Sequence, residues 1–189
     1  MKIRPARFDD VDEIVRLRRE AAQWLASVGT DQWAGAGRGI DTEEFARRVR
    51  QSISAGETWI AEGDQGEAFG TIAIDRYTNP GLWTEDELRD SLIIHRMIKD
   101  RRAPDGVGDL LLDHADHVAR SAGAKWLRLD AWTTNAALHR YYQSQGFEHV
   151  RTVEGHHTAS AALFARPVLD QPGDDRHAHE ASTKEGRRA

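Results

Sequence analysis

The chain has 189 residues, 39% of them hydrophobic and 30% charged, and a formal net charge of -5. That size suits one soluble domain with its own core, and no apolar run approaches the roughly 20 residues of a membrane span. The absence of cysteine excludes disulfides, thiolate metal sites and cysteine nucleophiles, and the negative balance argues against a nucleic-acid surface, which needs a basic face.

The start, MKIRPARFDD, lacks the apolar core of a secretory signal, so a cytoplasmic location is expected. Lys2 to Arg7 is a predicted strand. Asp9 to Val28 is a predicted helix: Val11, Ile14, Val15, Leu17, Ala21, Trp24, Leu25 and Val28 form a stripe of helical period, with Asp9 or Asp10 as cap. Gly35 to Gly39 marks a flexible loop, and Asp41 with Glu44 has capping-box spacing for a second helix through Ser52. Thr58 to Glu62 and Ala68 to Tyr77 are expected antiparallel strands, joined by the turn Gly63 to Gly66. A polar excursion from Thr78 to Asp90 holds Asn79-Pro80-Gly81 and the acidic run Glu85 to Glu87.

Ser91 to Lys99 is the next strand, and Gly106 to Ala122 a long amphipathic helix closed by Gly123. Trp126 to Trp132 is a strand, Asn135 to Ser144 a helix, and Glu148 to Val153 and Ser160 to Ala165 the last strands. The domain is expected to span 1–168, with a polar, disordered tail over 169–189. Strand-helix-strand crossovers favour a mixed α/β sheet.

Two features carry chemistry. Gly106-Val107-Gly108 stands where the long helix opens. Backbone amides at a helix start attract phosphate, and glycines let a ligand come close. Taken alone, such a turn is most often an ordinary helix start. Downstream, Asn135, Tyr142 and Gly146-Phe147 follow at fixed spacing. Together, the stretch Ile93 to His149 resembles the acyl-coenzyme A-dependent N-acetyltransferases of the GNAT superfamily.

The resemblance implies an α/β GNAT fold: a mixed, mostly antiparallel seven-stranded sheet, splayed between strands 4 and 5, flanked by helices, with the pantetheine arm of acetyl-CoA in the split. The family pattern at the turn falls on Ala103 to Gly108. Gly106 and Gly108 match it, Ala103 stands where the family has Arg or Gln, and Asp105 adds a negative charge. Gly106, Val107 and Gly108 would hold phosphate, Arg101 or Arg102 would supply the missing cation, and backbone groups of Met97 and Ile98 would pair with the pantetheine amides. Asn135 would contact the pantetheine arm and Tyr142 would face the thioester sulfur. The structural alternatives are an N-cap for Asn135 and simple packing for Tyr142.

Acyl transfer to an amine needs a neutral amine, a stabilised oxyanion and a departing thiolate. His95 has the chemistry of a base at neutral pH. Asp130, a carboxylate among apolar strand residues, is a second candidate, and a water chain a third. Both residues have structural alternatives, a hydrogen-bonded strand histidine and an ion-pair partner for Arg96 or Arg128. For the acceptor, the resemblance points to regions holding Trp24, Trp33, Trp83 and His156. Aromatic walls with carboxylates suit a small cationic amine, although Trp24 also fits the helix stripe. His114 and His117 are expected on a solvated helix face, and no metal is expected. The expected reaction is acetyl transfer from acetyl-CoA to a primary amine of a small molecule. The alternatives are a protein N-terminus or lysine as acceptor, or a non-catalytic acyl-CoA-binding domain. No nucleic acid or membrane partner is expected, and exposed strand edges leave room for a homodimer.

Overall fold

The computed structural model describes residues 1–33 and 42–169. The expected Gly35 to Gly39 loop, the Asp41 cap and the tail from residue 170 lie outside the described residues. Among the described residues, seven strands form a sheet in the order β1-β2-β3-β4-β5-β7-β6, with helices between them. It divides into two compact units, Met1–Tyr77 with Ile93–Ala115, and Thr78–Leu92 with the chain from Asp116 onward.

In the first unit, β1 (Lys2–Pro5), β2 (Thr58–Glu62), β3 (Ala68–Asp75) and β4 (Ser91–Lys99) from Ile93 on form antiparallel neighbours. Two helices, α1 (Val11–Ser27) and α2 (Thr42–Ser54), bury Ile14, Leu17, Phe45 and Val49 with Ile60 and Ile98 of the strands. A 3-10 turn, Phe8–Asp10, leads into α1. There Asp10 accepts from the Arg7 amide and from both terminal nitrogens of Arg4 at 2.7 and 2.8 Å. Trp24 departs from the expected apolar stripe and is 38% exposed.

The helix α4 (Val107–Ser121) starts one residue later than the spacing suggested, after Gly106. Its Val107 and Leu111 pack on Gly70 of β3, where an added Cβ would stand 2.9 Å from the Ile98 carbonyl oxygen. Glycine at 70 therefore sets how closely β3, β4 and the start of α4 approach one another.

In the second unit, β5 (Trp126–Ala131), β6 (Glu148–Thr152) and β7 (Ala162–Pro167) are antiparallel, with β7 in the middle. The helix α5 (Ala136–Ser144) precedes β6. The polar excursion contains a short helix, α3 (Glu85–Leu88), opened by a Thr84–Glu87 capping box that the sequence reading missed. Arg166 of β7 and Asp116 of α4, each 2% exposed, form a buried bidentate pair at 2.7 and 2.9 Å.

Candidate active site

The register between β3 and β4 slips: Ala73 faces His95, whereas Thr71 faces Ile98. Arg96 and Met97 therefore share the place opposite Ile72, as in a β-bulge, which re-aims side chains. Arg96 sits at φ 47°. That left-handed conformation costs a non-glycine residue roughly 1–2 kcal/mol and survives only where surroundings impose it.

His95 precedes the bulge. Its Nε2 donates to the Tyr77 carbonyl oxygen at 2.9 Å and lies 3.1 Å from Asp75 Oδ1. A carbonyl oxygen can only accept, so Nε2 carries the proton and Nδ1 is the basic nitrogen of the neutral ring. Asp75 thus orients the histidine that the sequence had offered as base. Close by, burial lowers the pKa of Arg96, opposed by the charges of Asp75 and Glu57. Burial, followed by the charge of Asp75, raises the Glu57 carboxyl.

The glycine turn belongs to the same unit. Gly106, at φ 86°, takes a conformation suited to glycine, and its carbonyl accepts the Leu110 amide as α4 begins. The amides of Val107 and Gly108 fall within the first helical turn, where such groups lack an intrahelical acceptor. Ala103 is buried and donates its amide to the Asp100 carbonyl. The side chain expected as Arg or Gln by the family pattern is here part of the loop's packing.

The neighbouring cations are occupied. Arg102 binds Asp100 through its amide, Nε and Nη2, and Arg16 reaches the same carboxylate at 3.0 Å. Arg102, then Arg16, holds the Asp100 carboxyl well below the usual range against the effect of burial. Arg101 lies over the Trp24 ring at 4.1 Å. Both arginines thus have partners within the protein, and Trp24, though 38% exposed, carries Arg101 on its ring.

In the second unit, Asn135 caps α5, accepting the Leu138 amide at 3.0 Å. The structural alternative for this residue therefore holds, whatever else its amide does. Tyr142 is buried on the same helix, edge-on to Phe147 at 5.8 Å. Burial raises its pKa far above the ordinary tyrosine value, and Tyr141 and Asp130 add to the effect, so the phenol stays protonated at any working pH. Asp130 acts on it as a charge. Arg128, one of the partners expected for Asp130, instead donates to Ser91 Oγ at 2.8 Å.

Trp83 is buried with Leu82, Leu163 and Ala165 beneath Arg128 and Arg151, whose guanidinium carbons lie 4.7 and 5.3 Å from its ring. It is a core residue, not an exposed wall. His156 donates from Nε2 to the Pro80 carbonyl and accepts the Thr158 amide at Nδ1, which fixes a loop and occupies both nitrogens. Trp33 remains partly buried beside the first core, with Arg18 over it at 5.3 Å. His114 packs its ring on Trp59 at 5.1 Å.

Sequence reasoning missed Asp75 and Glu57 altogether and gave Arg96 only a passing role. The one available signal was an acidic residue closing the apolar run Ile72-Ala73-Ile74; the register that brings it to His95 is not written in the spacing.

No family model matches the chain. In sequence it is similar to the uncharacterized N-acetyltransferase YesJ of Bacillus subtilis strain 168, with 28% identity over 147 residues, 76% of this chain and 79% of that protein. In fold it is similar to a GNAT-family acetyltransferase from Listeria monocytogenes 4b F2365, with TM-score 0.69, 22% identity, and coverage of 88% of this chain and 94% of the other. It is likewise similar to yncA of Salmonella typhimurium, solved with its cofactor acetyl-CoA, with TM-score 0.60, 19% identity and coverage of 93% and 98%. Among the described residues no helix is long and apolar enough to cross a membrane.

Proposed function

We propose that this chain, a GNAT-fold acyltransferase related in sequence to an N-acetyltransferase, moves the acetyl group of acetyl-CoA to the primary amine of a small molecule. The observation that carries the reading is His95, held on β4 by Asp75 and the Tyr77 carbonyl with its basic nitrogen defined. A small acceptor is favoured because the charged groups around this histidine, Glu57 and Arg96, are half-buried rather than spread along an open face.

The amine nitrogen attacks the thioester carbonyl carbon, the C–S bond breaks, and the proton lost by the nitrogen passes to His95 Nδ1. Backbone N–H groups near Ile98 stabilise the oxyanion. The amides opening α4 at Val107 and Gly108 hold the cofactor phosphates, and Asn135 its pantetheine arm. The departing thiol resembles cysteine, with pKa roughly 8.5. Tyr142 is far less acidic, so it stabilises the thiolate by hydrogen bonding, and solvent completes protonation.

The test is thiol release from acetyl-CoA across a panel of primary amines, alongside Tyr142→Phe. The variant is expected to lose about tenfold or more in kcat while keeping the rise in Tm that acetyl-CoA gives the parent. Unchanged turnover would remove Tyr142 from the mechanism. A chain that neither melts higher with acetyl-CoA nor releases thiol with any amine would end the acetyl-transfer reading.

A further inference from the structure

The first unit holds two half-buried opposite charges that do not meet. Among the described residues the Arg96 guanidinium enters no ion pair, and its buried Nε has no hydrogen-bond partner. Asp75, whose charge acts on Arg96, is committed to His95 at 3.1 Å. Glu57 feels the charges of both Arg96 and His95, yet its carboxylate forms no hydrogen bond or ion pair with either among the described residues.

Removing a cation from water without pairing it is expensive. The fold bears a second cost at the same position, the left-handed backbone of Arg96 at φ 47°. Closing a Glu57–Arg96 bridge would relieve the electrostatic cost, and the structure does not close it. A cation and a carboxylate held apart in this way complement a ligand with one charge of each sign. Arg matches a carboxylate with a planar, bidentate fork.

We infer that the acceptor is an amine that also bears a carboxylate, of amino-acid type, with its carboxylate on Arg96 and its nitrogen toward Glu57 and His95. This rests on the acetyl-transfer reading above and narrows its substrate class. In solution such an amine arrives as an ammonium, which Glu57 receives. The ammonium gives one proton to solvent to become the neutral nucleophile, the second proton, lost on attack, passes to His95 Nδ1, and the carboxylate stays on Arg96 through the reaction.

The experiment compares matched acceptors by thiol release: lysine with cadaverine, methionine with 3-methylthiopropylamine, phenylalanine with 2-phenylethylamine. The expected result is that at least one carboxylate-bearing member has a KM about tenfold or more below that of its counterpart. Arg96→Gln should abolish that difference by raising the KM of the amino acid alone, with kcat changed less, and Arg96→Lys should restore part of it. Should Arg96→Gln fail to fold, as a lost acetyl-CoA melting shift would reveal, the parent's selectivity still decides. Equal or better transfer to the decarboxylated amines, or transfer to peptide amines only, overturns the carboxylate assignment and leaves acetyl transfer standing. Absence of both thiol release and an acetyl-CoA melting shift overturns the two together.

Discussion

His95 illustrates how much one neighbour decides. An isolated strand histidine has two tautomers and free rotation about its side-chain bonds. Here the Tyr77 carbonyl and Asp75 carboxylate fix both at Nε2, as a carboxylate beside a base does in many hydrolytic sites. His95→Gln should therefore cost about a hundredfold in kcat and remove the acid limb of the pH profile. Asp75→Asn should cost about tenfold, acting through the ring's orientation, with the acetyl-CoA melting shift intact in both variants. A normal acid limb in the His95 variant would pass the role of base to Asp130 or to water. The same scale explains Ala103, Arg101 and Arg102. Arg101 or Arg102 is expected to supply the cation that Ala103 lacks, and in the structure Arg102 pairs with Asp100 while Arg101 lies over Trp24. The Arg102–Asp100 pair is local, two residues apart, whereas the contact of Arg101 with Trp24 of α1 is long-range and not encoded by spacing along the chain.

At the level of elements, periodicity and turn chemistry sufficed for most of what is seen. The bounds of β2 and β4 match the sequence reading, and α4 and α5 fall where the glycine turn and Asn135 placed them. These features are local: an apolar run, a cap, a glycine at positive φ. The bulge in β4 was not legible, because it depends on how β3 pairs with it, and a register slip of one residue leaves the composition of both strands unchanged. Nor was α3, a single turn whose Thr84–Glu87 box was hidden within an acidic run that looked solvated. That short helix is anchored by Arg151 of β6, whose two terminal nitrogens meet the two Glu87 oxygens at 2.7 and 2.8 Å. Arg151 first, then the Thr84 hydrogen bonds, bring the Glu87 carboxyl from its ordinary 4.5 down to about 2, against the opposing effect of burial. Because the folded-state value is depressed, the pair's stabilisation is complete above the unfolded value and fades as the pH falls from 4.5 toward about 2. Glu87→Gln should lower Tm at neutral pH by a few degrees, reflecting on the order of 1 kcal/mol after allowance for solvent screening. The difference from the parent should shrink as the pH drops through that window, and a gap constant from pH 7 to 2 would show that the pair contributes nothing ionic.

For the whole molecule, the question is how a chain of net charge -5 would hold an anionic nucleotide. Long-range attraction is not available, since the overall field repels a phosphate-bearing ligand. The basic residues nearest the glycine turn offer little relief, because Arg102 is neutralised by Asp100 and Lys99 stands 4.0 Å from Asp105. What remains is the fixed set of backbone dipoles where α4 opens, whose pull is confined to the first turn. Binding of this kind has a signature in salt. A grip made by solvated lysines and arginines weakens as the Debye length falls below about 10 Å near 0.1 M. A grip made by backbone amides, with a repulsive background field, should hold steady or tighten as that background is screened. We therefore expect the acetyl-CoA affinity to stay within about threefold, or improve, between about 0.02 and 0.3 M salt. At a concentration near 100 times Kd the ligand should stabilise the fold by about 2.7 kcal/mol, a rise in Tm of roughly 5–11 °C for a chain of this size. A steep loss of that rise with salt would instead place the phosphates on side-chain cations, and Arg101→Ala and Arg102→Ala would then identify which of the two leaves its present partner to hold them.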